Sequence, residues 1–277
     1  MRALKTIFDF YINSSIHVAL AVVTMTYITY LEFAVSVDLI VLSFIGFASI
    51  TGYNFVKYFG LAKFHHRSLS SKLKAIQMFS LFSFLVMCYF ALQLNTTTII
   101  AILIFGLVTF FYAIPLLPNR FFVDQKKQLR SISGLKIYII ALVWSGVTVF
   151  LPLINREFEI HGDVIVSAIQ RFVFVFVLML PFEIRDLNFD SLKLATIPQK
   201  IGVMKTKVIG VLLLLLILIL EYFKNDINSS HLISLTLISL ILLLLLVFST
   251  KQQGKYYSAF WVESLPVWWL ILLFVLS

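Results

Sequence analysis

From Val211 to Leu220 the chain runs through ten apolar residues without a break. Such a run cannot alternate between a lipid face and a lumen face, so it is no strand of an outer-membrane barrel. In lipid a backbone must satisfy its own hydrogen bonds, which leaves helix. The same reasoning covers nine apolar stretches, near residues 12–31, 37–56, 75–93, 97–117, 137–154, 164–182, 208–223, 232–249 and 260–276. Each is about long enough to cross a hydrocarbon layer of roughly 30 Å. Composition removes the soluble alternative. Of 277 residues, 61% are hydrophobic and 13% are charged, about half the roughly 25% charge of a soluble domain. A soluble domain could not hide that much apolar surface behind so few charges. Soluble enzymes, disordered chains, collagen-like chains and disulfide scaffolds are excluded together. The expected fold is all-α: a polytopic membrane protein with nine transmembrane helices bundled around a central cavity that opens to the cytoplasm. It forms one integral membrane domain over 1–277. The lone Cys88 lies in an apolar stretch and reads as a buried, inert thiol.

Charge then orients the chain. The stretches Met1–Tyr11, Lys57–Lys74, Pro118–Lys136, Glu183–Lys207 and Lys251–Ala259 hold 19 of the 22 Lys and Arg. The intervening loops hold only Arg156 and Lys224, and Arg171 lies within a span. This bias predicts a cytoplasmic N-terminus and, with an odd number of spans, a C-terminus outside the cell (inner) membrane. The net charge of +9 then faces anionic headgroups, and no nucleic acid is needed to explain it. No small-residue cleavage site follows the first apolar stretch, so that stretch reads as an anchor. The large loops 57–74, 118–136 and 183–207 all fall on the basic side, and they alone carry enough polar residues for chemistry.

The richest of them begins Pro181-Phe-Glu-Ile-Arg-Asp-Leu-Asn-Phe-Asp190. On a continuing helix, Glu183, Asp186 and Asp190 would share one face. Like charges at that spacing repel, and a cation between them removes the repulsion. Oxygen ligands of this kind suit Mg²⁺, which takes one or two carboxylates plus phosphates and waters. The alternative is a solvated helix end whose acids pair with Arg185 and Lys193. A second acidic cluster, Glu157, Glu159 and Asp163, lies in an outer loop. Arg171 and Glu263 lie inside spans, where burying charge is costly, so both are functional candidates; snorkelling or an internal hydrogen bond is the ordinary reading of each. Asp38 and Glu221 read as interfacial. No P-loop, G-x-G-x-x-G, H-E-x-x-H or G-x-S-x-G occurs.

Glu183 to Asp190, followed by Lys193, Thr196-Ile-Pro198 and Ile201-Gly202, resembles the second Asp-rich motif of the UbiA superfamily of intramembrane prenyltransferases. Nine spans with large loops after the second and sixth match that family in layout. Phe111-Tyr112-Ala-Ile-Pro115 is similar to the tyrosine–proline segment that ends its fourth helix. The resemblance implies transfer of a prenyl group from a polyprenyl diphosphate to a lipophilic or aromatic acceptor. It implies Asp186 and Asp190 as the catalytic acids, binding Mg²⁺ with Glu183 assisting. Asn54, Lys57, Lys63, Arg67 and Lys193 would contact the diphosphate, and Tyr58, Tyr112 and Glu263 would line the cavity.

One departure stands out. The family's first motif should fall at the end of the second span, where this chain has Asn54-Phe-Val-Lys57-Tyr58-Phe-Gly-Leu-Ala62-Lys63. Asn54 matches, but Phe55, Tyr58 and Ala62 stand at the acid positions. Three explanations are open. Lys57, Lys63 and Arg67 could grip phosphate directly, so that one Mg²⁺ site serves in place of two. The chain could instead bind an isoprenoid or a protein partner without turnover. Or the basic loop carries only the topological signal. His65 and His66 point about 100° apart on a helix and lack a third ligand.

Overall fold

A computed structural model describes residues 2–62, 71–113, 134–188 and 196–277. The elements are α1 (Arg2–Asn13), α2 (Ile16–Glu32), α3 (Leu39–Ala62), α4 (Ser71–Ala91), α5 (Thr96–Ala113), α6 (Leu135–Ser145), α7 (Leu151–Asn155), α8 (Gly162–Asp186), α9 (Ile197–Ile201), α10 (Val203–Glu221), α11 (Ser229–Val247) and α12 (Leu265–Leu276). A π-helical segment, Gly146–Phe150, joins α6 to α7, and another, Tyr257–Val262, precedes α12. No strand occurs among the described residues. Seven described helices are long and apolar enough to cross a membrane, or eight if α1 and α2, bent by 57°, make one crossing. The expected count was nine. The stretch near 97–117 is represented by the shorter apolar helix Thr96–Phe111.

The N-terminal stretch expected as a linker is helical instead. α1 leaves Leu4 and Ile7 exposed at 73% and 66%, as an interfacial amphipathic helix does. Its bend falls at Asn13–Ser15, where Ser15 takes a φ of 64°.

The centre of the bundle is α8. Val173 to Leu178, Leu180 and Ile184 are all buried, so the middle of this helix is apolar around its circumference and enclosed by neighbours. α6, α10 and α11 pack along it. Small residues bring two contacts close. A Cβ on Gly210 would stand 2.3 Å from Leu246 and 3.0 Å from Leu180, and one on Gly146 would stand 2.1 Å from Phe105. α12 packs on α2 and α11, so the last crossing closes against the first. His17 Nε2 lies 3.1 Å from the Phe260 carbonyl and Nδ1 lies 2.7 Å from the Tyr11 hydroxyl. The carbonyl can only accept, so Nε2 carries the proton and Nδ1 accepts from Tyr11.

A buried charge network ties the helices together near the start of α8. Arg171 is 2% exposed, with Nη2 3.7 Å from Glu32 Oε2. Its Nη1 donates to the Met25 carbonyl at 3.1 Å, and its guanidinium lies 4.8 Å from the Trp269 ring centroid. Lys224 Nζ lies 2.8 Å from Glu32 Oε1 and 2.7 Å from Glu221 Oε2. Gln170 donates to Glu221 at 2.8 Å, and the Ser167 hydroxyl donates to Glu32. Burial works against the Lys224 ammonium, but Glu32 and Glu221 outweigh it and hold its pKa above the ordinary lysine value. Arg171 therefore does not snorkel; the internal reading holds. Glu221, expected at the interface, is 1% exposed, because Lys224 folds back over it. Asp38 is 9% exposed; it accepts from the Ile40 and Val41 amides at the start of α3 and pairs with Arg156 at 3.5 Å. Asp163, from the outer acidic cluster, accepts from the Asn225 and Asp226 amides. Cys88 is a half-buried free thiol where full burial was expected.

Candidate functional site

At its other end α8 stops at Asp186, and Leu187 and Asn188 form a turn. Asp190 and Lys193 lie outside the described residues, as do Lys63, His65, His66 and Arg67. Glu183 and Asp186 occupy the last turn of α8 and share a face. Glu183 is 2% exposed, and the Asp186 side chain is 19% exposed. Lys136, at the start of α6, faces both: its Nζ lies 3.7 Å from Glu183 Oε1 and 3.6 Å from Asp186 Oδ2. From another side, Arg185 Nε and Nη2 each lie 2.8 Å from Asp186 Oδ1. The Arg185 pairing belongs to the alternative the sequence offers for these acids, whereas Lys136 reads in the sequence only as a basic charge flanking a span. Its pairing is set by the antiparallel packing of α6 on α8, which no local pattern reveals.

The first-motif position lies on α3. Asn54 is 2% exposed. Its amide nitrogen donates to the Ser14 carbonyl at 2.9 Å and to Ser80 Oγ at 2.8 Å, and its oxygen accepts from Ser15 Oγ at 2.8 Å. Lys57 Nζ donates to Ser15 Oγ at 3.0 Å, and the Tyr58 hydroxyl donates to the Asn13 carbonyl at 3.0 Å. The three residues thus hold the bend between α1 and α2. Asn54 has both donors engaged, whereas Lys57 keeps donors to spare.

Glu263 connects the two motifs. It lies between the second π-helical segment and α12, half-buried, and interacts electrostatically with both Lys57 and Arg185. α3, the end of α8 and the last crossing therefore present charge to one another. Tyr112 belongs to α5, and its side chain lies outside the described residues.

The donor set fits a divalent cation in part. Two carboxylates converge on one cationic nitrogen, and Mg²⁺ needs no more than one or two. Among the described residues, no group of three or more His, Cys, Asp and Glu converges. Downstream, the family-like Thr-Ile-Pro and Gly have a local structural reason. Gln199 Oε1 accepts from the Thr196 amide at 3.0 Å, Pro198 opens the single turn of α9, and Gly202 ends it with a φ of +82°. A groove of about 320 Å³ between α2 and α3 is lined by Ile16, Leu20, Val23, Gly46, Phe47 and Ile50, among others. It ends one helical turn from Asn54.

No family model matches the sequence, and no curated protein matches it either. Solved structures do match. A UbiA homologue from Archaeoglobus fulgidus bound to GPP and Mg²⁺ superposes with a TM-score of 0.61 at 12% identity, covering 96% of this chain and 98% of that one. The same homologue bound to DMAPP and Mg²⁺ gives 0.60 at 11% identity with the same coverage. A structure of digeranylgeranylglyceryl phosphate synthase gives 0.57 at 16% identity, covering 100% of this chain and 97% of that one. With its long apolar helices the chain is an integral membrane protein, and it has the UbiA-superfamily fold.

Proposed function

We propose that this protein is a prenyltransferase that moves a prenyl group from a polyprenyl diphosphate to a hydrophobic acceptor. The observation that carries the reading is the convergence of Glu183 and Asp186 on one cation at the end of the central helix. It gains weight from a fold shared with homologues bound to GPP or DMAPP with Mg²⁺. In the reaction the allylic carbon–oxygen bond breaks, and the diphosphate leaves with the electron pair. An electron pair of the acceptor forms the new bond, and the acceptor then loses a proton. Mg²⁺ held by Glu183, Asp186 and Asp190 would neutralise charge developing on the leaving group.

The chain's own residues do the rest. Lys57, Lys63, Arg67 and Lys193 supply cations toward the diphosphate in place of the missing first-motif acids, so one metal site suffices. Asn54 holds Ser14 and Ser15 and so keeps Lys57 in place. Apolar helices exclude water that would trap an allylic cation. The bias of Lys and Arg toward one set of loops supports a site, and an N-terminus, on the cytoplasmic side of the cell (inner) membrane.

A second reading is a UbiA-fold protein that binds an isoprenoid or a partner without turnover. The engagement of Asn54 and Tyr58 in an internal clamp favours it. One experiment separates the two. Purified protein is given Mg²⁺, prenyl diphosphates of several lengths and a membrane lipid extract, and pyrophosphate release is followed beside Asp186→Asn. Asp186-dependent release supports transfer. Diphosphate binding without release supports the second reading, and release that ignores Asp186→Asn sinks the metal assignment.

A further inference from the structure

Lys136 is the one described lysine that faces two carboxylates of the candidate site at once. Its distances of 3.7 and 3.6 Å exceed hydrogen-bond range, so the contact is coulombic and loosely held. Its side chain is 31% exposed, and a lysine stem is flexible enough to withdraw. Glu183 and Asp186 lie three positions apart on one helix face, where two carboxylates repel. The ammonium offsets that repulsion.

We propose that Lys136 is a resident counter-cation: its ammonium competes with a divalent ion for Glu183 and Asp186 and withdraws when the ion enters. This rests on reading those carboxylates as a metal site. A divalent ion outcompetes one ammonium through its double charge and its demand for oxygen ligands. Without metal, Lys136 keeps the last turn of α8 ordered and close to neutral. Metal entry frees the ammonium beside a site that takes an anionic diphosphate. Metal and diphosphate therefore bind cooperatively, each clearing the way for the other.

The test titrates Mn²⁺ into detergent-purified protein without diphosphate and reads free Mn²⁺ by electron paramagnetic resonance. Lys136→Met should bind Mn²⁺ about tenfold more tightly than the wild type, since a competing charge is gone. Lys136→Arg, which keeps the charge, should stay near the wild type. Inorganic pyrophosphate should then raise Mn²⁺ affinity more in the wild type than in Lys136→Met. Should Lys136→Met not fold, Lys136→Gln carries the same expectation. Mn²⁺ binding that depends on Asp186 but is equal or weaker in folded Lys136→Met overturns the competition alone. Mn²⁺ binding unaffected by Asp186→Asn, or no binding at all, overturns the metal reading and the competition with it.

Discussion

Near the start of α8, Lys224 stands 2.8 Å from Glu32 and 2.7 Å from Glu221; at its end, Lys136 stands 3.7 Å from Glu183 and 3.6 Å from Asp186. Arg171 and Glu183, 12 residues apart on this helix, are separated by about 18 Å of helical rise. The first cluster is sealed: its Lys224 side chain is 4% exposed. The second is reachable from solvent, with Lys136 at 31%. The first network knits α2, α8 and α10 and binds its charges tightly. The second leaves cations and carboxylates close without locking them. One helix thus carries a fastening at one end and an adjustable site at the other.

The contrast breaks most visibly at Glu32. Glu32→Gln leaves Arg171 and Lys224 buried with half their compensation, and the expected loss is about 3–5 kcal/mol of stability. It is read as a fall in melting temperature in detergent; an unchanged value would show that the network fastens nothing. Asp186→Asn should do the opposite. Its partners Lys136 and Arg185 are reachable by water, so the melting temperature should hold while Asp186-dependent pyrophosphate release falls on the order of 100-fold.

Asn54→Ala sharpens a smaller point. It strands the Ser14 carbonyl and the Ser15 hydroxyl at the bend, and about 1–2 kcal/mol should be lost. Proteolysis or hydrogen exchange confined to α1 would show it, and uniform protection would argue that the bend is held by something else. The smallest effect is alkaline. A lysine whose pKa is raised in the folded state contributes stability that is fully present below its ordinary pKa of 10.5. That stability is lost as pH rises through the folded value. The melting temperature should ignore Lys224 up to about pH 10.5 and decline beyond it, and Lys224→Met should lack that portion of the decline.

The bundle was legible because uninterrupted apolar runs such as Val211–Leu220 leave a chain few options in lipid. Glu183 and Asp186 were legible because their spacing alone places them on one face. What escaped was pairing between distant helices. Lys224 read only as an outer-loop charge, yet it meets Glu32 across 192 residues. Lys136 was hidden by its resemblance to every other lysine flanking a span. Asn54 was recognised by its position, but its contacts with Ser14, Ser15 and Ser80 depend on a bend that no residue pattern announced. Helix α1 was missed for a related reason: an amphipathic segment has too little apolar length to register as a crossing.

The contact of α12 with α2 has a further meaning for how the protein is made. His17 meets Phe260 across 243 positions, and Lys255 and Tyr256 hold Asp9 of α1. Helices α1 and α2 find these partners only after the more than 200 residues between them have been made. Until then α1, the bend and the Asn54 clamp lack one wall. The candidate site is thus completed late, and a chain stalled before α12 would sit in the membrane with that site unassembled.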